Sequence, residues 1–251
     1  MKLFQQLFGL HSAEVTQTER RLQGRYPTGA DFPLTVAVAG DGWNGTGRAH
    51  DLAVGGIGVV LDRGPTVDTG ANVRVGLRLD GFEILTGGLL RHTRPRSSRG
   101  VNCGVSLIFE DSAAQHAYVQ LLIPVSIGGS LAPLDAARVR QDEPGVHKAA
   151  YAGDSASRLT VWSRTKKGDR PGPFSFEFSV GEHLVRGREG TAGVQTFSRV
   201  DDQRPHRATD FAPHAGDAMD AELKRLFRWS VLNIRESVPA AERKFVLSFA
   251  E

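Results

Sequence analysis

The stretch "RAHDLAVGGIGVVL" (48–61) decides the fold of the N-terminal half, because it has the composition of a β-strand and yet contains three glycines. Valine, isoleucine and leucine fit the pleated, half-buried surface of a sheet. Glycines inside such a run mark a bulge or a close approach of another backbone. We therefore expect an interrupted strand in which an acid, Asp51, lies beside residues that carry no side chain.

The segments around this stretch predict further strands and then a helix. "NVRVGLRLDG" (72–81) alternates apolar and polar residues, as a half-buried strand does. The other strand candidates are "LTVAVA" (34–39), "FEILTGGLLRHTR" (82–94) and "GVNCGVSLIFE" (100–110). "EDSAAQHAYVQLLIPV" (110–125) predicts a helix that Asp111 or Ser112 could cap. Short strands with regular turns are typical of a small antiparallel barrel.

The second half predicts an α+β domain with an antiparallel sheet and one long helix. The long helix is expected over 217–236, with Asp217 as its N-cap. The strand candidates are 157–164, 174–180, 182–188, 193–200 and a closing strand at 244–250.

Four regions follow from these patterns. Residues 1–16 predict a short amphipathic helix, and residues 17–126 form the barrel domain with its helix. Residues 127–150, rich in glycine, proline and charge, predict a linker to the α+β domain at 151–251.

Composition limits the class of protein. The chain has 251 residues, of which 40% are hydrophobic and 24% charged, so it can bury a core. A net charge of +3 is too small to indicate nucleic acid binding. The single cysteine, Cys103, excludes an internal disulfide and favours a reducing compartment. No apolar run predicts a membrane span, so we expect a soluble cytoplasmic protein.

A cluster of arginines precedes the first strand, in "TERRLQGRYP" (18–27). Arginine binds phosphate through two parallel hydrogen bonds and also stacks on nucleobases. Asp51 can accept hydrogen bonds from the N–H pair of a guanine edge, and Gly55 and Gly56 let a ligand approach the backbone. Arg20, Arg21, Arg25 and Asp51 together predict a site for a guanine nucleotide.

The order of these parts resembles the PilZ domain family. That family is recognised by Arg-x-x-x-Arg followed by Asp/Asn-x-Ser-x-x-Gly, on a six-stranded antiparallel barrel closed by a helix. Here "RLQGR" (21–25) and "DLAVGG" (51–56) occupy these places. The resemblance covers roughly residues 17–126 and implies binding of cyclic di-GMP.

Residue roles follow from the resemblance. Arg21 and Arg25 would clamp phosphates and stack on guanine, Asp51 would hold a guanine edge, and Gly56 would keep the strand open. Arg20 holds the position where an arginine tends to accompany an intercalated ligand dimer in this family. Ala53 replaces the family's serine, which removes one hydroxyl and is expected to weaken binding several-fold.

The resemblance implies a non-catalytic cyclic di-GMP effector. Ligand binding would order residues 17–27 and so change the N-terminal segment and the arrangement of the C-terminal domain. By family analogy the protein partner would belong to a motility, secretion or polysaccharide system, which can lie close to a membrane. One alternative, which Ala53 favours, is a PilZ-like adaptor that binds protein and no nucleotide. Another is an enzyme whose active site lies in residues 150–251.

Other signals are weaker. "RHTRPRSSR" (91–99) lacks the interleaved aromatic residues of a nucleic acid surface. His206, Asp210 and His214 match no familiar zinc spacing, so we predict no metal site. The sequence also lacks a P-loop and a serine-nucleophile elbow. We therefore expect no enzyme and no cofactor other than the nucleotide ligand.

Overall fold

The computed structural model describes residues 24–96, 100–165, 172–199, 211–214 and 216–250. The chain divides into two compact units after Val125. The amphipathic helix expected over residues 1–16 lies outside the described residues, and the other domain boundaries stay predictions.

The first unit is a closed antiparallel barrel. Six strands, β2–β7, form a ring because the order β3-β2-β5-β6-β7-β4 closes through a pairing of β3 with β4. A short extra strand, β1, pairs with β3. The strands are β1 (Tyr26–Pro27), β2 (Thr35–Gly40), β3 (Trp43–Ala53), β4 (Gly56–Leu61), β5 (Asn72–Leu79), β6 (Phe82–Pro95) and β7 (Val101–Ile108). The predicted six-stranded barrel is confirmed.

Alternating side chains fill the barrel. In β5, four apolar residues are buried, and the residues between them are exposed or half-buried. Successive side chains of a strand point to opposite faces, so this alternation gives each strand one inner and one outer face. The four buried residues are Val73, Val75, Leu77 and Leu79.

Helix α1 (Ser112–Ser130) follows the barrel and ends beyond the predicted limit of residue 125. Asp111 Oδ1 accepts a hydrogen bond from Ala114 N at 2.7 Å, as expected of its cap. The buried Tyr118 hydroxyl donates to the carbonyls of Ala53, at 2.8 Å, and Gly56, at 3.1 Å. These bonds fix the helix to the hairpin between β3 and β4.

The second unit is an antiparallel meander of seven strands, each paired with the next in sequence. The strands are β8 (Ala132–Pro133), β9 (Val146–Gly153), β10 (Ser157–Arg164), β11 (Gly172–Val180), β12 (His183–Arg188), β13 (Gln195–Arg199) and β14 (Phe211–His214). A 3-10 turn (Ala136–Arg138) separates the first two, and helices α2 (Ala218–Val231) and α3 (Ala240–Leu247) follow the sheet. The predicted sheet and long helix are confirmed.

Aromatic rings join the helices of this unit to its sheet. Phe176 of β11 stacks on Phe227 of α2 at 5.3 Å between centroids, and it meets Phe249, just after α3, at 5.2 Å. Asp217 caps α2, since its Oδ1 accepts from Asp220 N at 2.8 Å.

The strand predicted over 244–250 is wrong, because most of this segment belongs to α3. Periodicity in a short apolar run does not distinguish a strand from a helix. The buried Val246 and the adjacent Phe245 both contribute to the core, Phe245 through an edge contact with Phe176. Successive residues can share an apolar face in a helix and cannot in a flat strand.

Within the described ranges, no helix is both long enough and apolar enough to cross a membrane.

Candidate functional site

A β-bulge in β3 brings His50 and Asp51 together on the outer face of the barrel. Ala49 pairs with Val59 and Asp51 pairs with Gly58, which leaves His50 as the extra residue. A Cβ atom built on Gly58 would lie 2.5 Å from Asp51 Oδ2 and 2.5 Å from His50 Cε1. Both side chains therefore cover Gly58, and only glycine fits beneath them.

Strand β1 brings Arg25 to this bulge. Tyr26 pairs with Leu52, and Pro27 pairs with Asp51. Thr28 continues the attachment: its amide donates to the His50 carbonyl at 3.0 Å. Its hydroxyl donates to the Ala49 carbonyl at 2.7 Å. Arg25, directly before β1, is thereby held beside β3.

Asp51 binds two neighbours, one on each carboxylate oxygen. Arg25 Nη1 donates to Oδ1 at 2.7 Å, and His50 Nδ1 lies 2.6 Å from Oδ2. The Asp51 side chain is only 8% exposed, whereas that of Arg25 is 57% exposed. The acid is therefore enclosed, and its cationic partner remains accessible from solvent.

These partners decide the ionisation of Asp51. Burial alone would raise the pKa of its carboxyl group. The hydrogen bond from His50 and the charges of His50 and Arg25 outweigh burial and hold that pKa below its usual value. Asp51 is therefore an anion at neutral pH.

Ala53 and Gly56 pair across a two-residue connection, Val54–Gly55, in the hairpin of β3 and β4. Gly56 is buried, and a Cβ atom there would lie 3.0 Å from the Val105 carbonyl oxygen of β7. Gly55 is exposed, and a Cβ atom there would have open space around it. The spacing from Asp51 to Gly56 is thus the spacing of a tight hairpin, and ligand contact by Ala53 and Gly56 stays a prediction.

The structure brings together Arg25 and Asp51 from the predicted set. Arg20 and Arg21 lie outside the described residues. Sequence reasoning missed His50 and Gly58. A bulge could have been suspected at the glycine-rich strand, but nothing in the sequence placed it at His50.

Two residues from the weaker sequence signals, His214 and Arg91, form side-chain hydrogen bonds within the protein. In the second unit, His214 Nδ1 lies 3.0 Å from Asp217 Oδ2 and His214 Nε2 lies 2.7 Å from Ser198 Oγ. His206 and Asp210 lie outside the described residues. In the described part of the chain, no three His, Cys, Asp or Glu side chains are grouped to hold a metal ion. In the barrel, Arg91 Nε donates to Ser106 Oγ at 2.8 Å.

Comparison with known families agrees with this geometry. The sequence model of the PilZ domain matches residues 19–123. The N-terminal unit carries a PilZ domain. The match spans the arginine motif, the β3–β4 hairpin and most of α1, so the predicted family is confirmed for this half of the chain. PilZ domains are in general binding and adaptor modules.

Two solved structures are similar to parts of the chain. The PilZ domain of CeSA from a cellulose-synthesizing bacterium is 22% identical, covers 40% of this chain and 95% of its own, and gives a TM-score of 0.31. The PlzA protein of Borreliella burgdorferi, in complex with c-di-GMP, is 8% identical, covers 76% of this chain and 88% of its own, and gives a TM-score of 0.37. Among curated proteins, no match to the chain was found.

Proposed function

We propose that the PilZ barrel binds cyclic di-GMP on its outer face around Arg25 and Asp51, and that the chain is a non-catalytic effector. One observation carries the proposal. The ion pair of Arg25 with Asp51 joins the two halves of the PilZ motif at 2.7 Å, although they are 26 positions apart in sequence. In this proposal the arginine motif and the hairpin motif are parts of one site.

The electrostatics of the pair suit an anionic nucleotide. An arginine fixed by a carboxylate keeps its fork in one orientation, which lowers the entropy that is lost when it binds a phosphate. More than half of the Arg25 side chain is exposed, so a phosphate can reach it. In this proposal Arg20 and Arg21 supply further cations and stacking surfaces for the bases, and Asp51 contributes to recognition of a guanine edge.

The hairpin completes the proposed site. Gly56 would allow close approach of the ligand to the strand, and Ala53 would lie against it without the family's hydroxyl. A missing hydrogen bond of this kind costs about 0.5–1.5 kcal/mol. We therefore expect binding that is several-fold weaker than it would be with a serine at residue 53.

Signalling would follow from ordering of the arginine segment. Arg25 and β1 are already held on the barrel, so ligand phosphates would draw in Arg20 and Arg21, and the part of the segment 17–27 that precedes Arg25 would settle beside them. That change would reach residues 1–16 or the second unit and alter the surface offered to a protein partner. We propose a cytoplasmic setting and a partner from a motility, secretion or polysaccharide system, including a membrane-proximal one.

A second candidate is a PilZ adaptor that binds a protein and no nucleotide. Ala53 favours it, as does the occupation of both Asp51 oxygens by residues of the chain itself. A guanine edge would have to replace one of these partners or share an oxygen with it.

Calorimetric titration of the full chain with cyclic di-GMP tests the two candidates. We expect saturable binding that Arg25→Ala weakens about 100-fold, because an exposed phosphate contact and the orientation of neighbouring groups are lost together. Arg78→Ala is the matched control, since Arg78 is an exposed arginine of the same barrel that pairs with Glu83. No saturable heat at ligand concentrations of tens of micromolar would leave the adaptor as the function.

A further inference from the structure

Two β-bulges lie at the same level of the barrel, one in β3 and one in β6. In β6, Leu90 pairs with Val105 and His92 pairs with Gly104, which leaves Arg91 as the extra residue. The bulge in β3 has His50 as its extra residue. Each bulge places a histidine on the outer face, next to a glycine of the neighbouring strand.

The two glycines are partners of one another. Gly58 of β4 pairs with Gly104 of β7, and both are buried. The His50 ring lies over Gly58, and the His92 ring lies over Gly104 so closely that a Cβ atom there would collide with it. The histidines are nevertheless open to solvent on their other side, as the His50 side chain is 43% exposed and His92 is also exposed.

These residues form one strip across four adjacent strands, β3, β4, β7 and β6. Its outer surface carries Arg25, Asp51 and His50 at one end and His92 with Arg91 at the other. Three strand spacings separate β3 from β6, which is about 14 Å. The Gly58–Gly104 pair has no side chains of its own, and the His50 and His92 rings cover it from its two sides.

An imidazole ring that is partly open to solvent can stack on a nucleobase or form a hydrogen bond with its edge. Arg91 Nε is held by Ser106 Oγ at 2.8 Å, which keeps a cation beside His92. Phosphate binding at Arg25 would therefore leave the bases of a dinucleotide within reach of ring surfaces along the strip. Neither histidine belongs to the two PilZ motifs.

We propose that His50 and His92 contact the bases of the bound cyclic dinucleotide, so that the ligand site extends from Arg25 across the Gly58–Gly104 pair to β6. This rests on the proposed function. His50 is held by its bond to Asp51. The His92 ring lies against the backbone of Gly104, where a larger residue would push the ring away.

Titration of the full chain with cyclic di-GMP tests the extension. Loss of one base–ring stack should weaken binding on the order of ten-fold in His92→Ala. His92→Phe keeps a flat ring and should restore most of the affinity. Gly104→Ala should also weaken binding, because the new methyl group displaces the His92 ring. His50→Ala should weaken binding at least as much as His92→Ala, since it also removes a partner of Asp51.

His147→Ala is the control, because His147 is an exposed histidine of the second unit. The thermal unfolding midpoint of each variant separates lost contact from lost folding. Native affinity in His92→Ala and Gly104→Ala, together with loss of binding in Arg25→Ala, would overturn the extension and leave the proposed function standing. A native chain that does not bind cyclic di-GMP would overturn both.

Discussion

Among the residues that the structure describes, each unit has one nearly buried aspartate, and the two aspartates have different surroundings. Asp51 in the barrel is 6% exposed, and Asp220 in the second unit is 7% exposed. Burial would raise the pKa of each carboxyl group, and hydrogen bonds with cationic partners lower it instead. Burial and ionisation alone therefore do not distinguish a binding site from a structural contact.

The partners make the distinction. Asp220 accepts from Thr196 Oγ1 at 2.6 Å and from Lys224 Nζ at 2.8 Å. Lys224 is one helical turn away in α2, and Thr196 is a buried residue of β13, so these bonds attach the helix to the sheet. Asp51 instead holds an exposed arginine from a distant segment, over a glycine on the outer face of the barrel. We interpret Asp220 as structural and Asp51 as part of a binding surface.

The largest effect that this comparison predicts is on stability. Asp220→Ala should lower the free energy of unfolding by about 2–3 kcal/mol, because a buried hydroxyl and a lysine both lose their acceptor. Urea unfolding measures this loss, and cyclic di-GMP affinity should stay at its native value. Glu143→Ala, at an exposed acid of the same unit, is the control. A lower nucleotide affinity in Asp220→Ala would contradict the structural interpretation.

A smaller effect is expected from filling the space beneath Asp51. Gly58→Ala should weaken cyclic di-GMP binding several-fold and cost about 1–3 kcal/mol of stability, since the new methyl group displaces Asp51 and His50. Gly55→Ala is the matched control, because a Cβ atom at Gly55 would have open space around it. Equal affinities for the two variants would show that the geometry of Asp51 does not matter for binding.

A substitution at residue 53 should have a still smaller effect on cyclic di-GMP affinity, and it should raise that affinity. Ala53→Ser should strengthen cyclic di-GMP binding by about 0.5–1.5 kcal/mol, because it restores the hydroxyl of the PilZ motif. Calorimetry of the variant and the native chain measures the difference. Ser198→Ala, in the second unit, controls for loss or gain of a hydroxyl elsewhere. No gain from Ala53→Ser would mean that the ligand does not reach the hairpin.

The smallest expected change is in the acid stability of the barrel. The folded pKa of Asp51 lies below its unfolded value of about 4, so the stabilisation is complete above that pH and is lost as pH falls through the folded pKa. Asp51→Asn removes this proton linkage, and its stability should therefore fall less steeply below about pH 4. Urea unfolding between about pH 5 and pH 2.5 tests this. Parallel curves for the two proteins would contradict it.

Much of the fold followed from the sequence. The alternation Val73, Val75, Leu77 and Leu79 predicted a strand with one buried face, and the structure confirms it. Asp217 was recognisable as a helix cap, and its carboxylate does cap α2. These features are local, because they depend on side-chain periodicity and on hydrogen bonds between near neighbours. The run at 244–250 was misassigned because a short apolar segment fits either period.

The candidate site likewise has one part that the sequence predicted and another that it did not. The sequence by itself determined the PilZ motifs and so directed attention to Arg25 and Asp51. Only the tertiary structure decided that His50 shares the Asp51 carboxylate and that His92 lies over Gly104. The physical reason is that a bulge is a property of two paired strands, and residues from four strands meet only when the barrel closes. Motif spacing records neighbours along the chain, whereas the neighbours across the sheet are set by register.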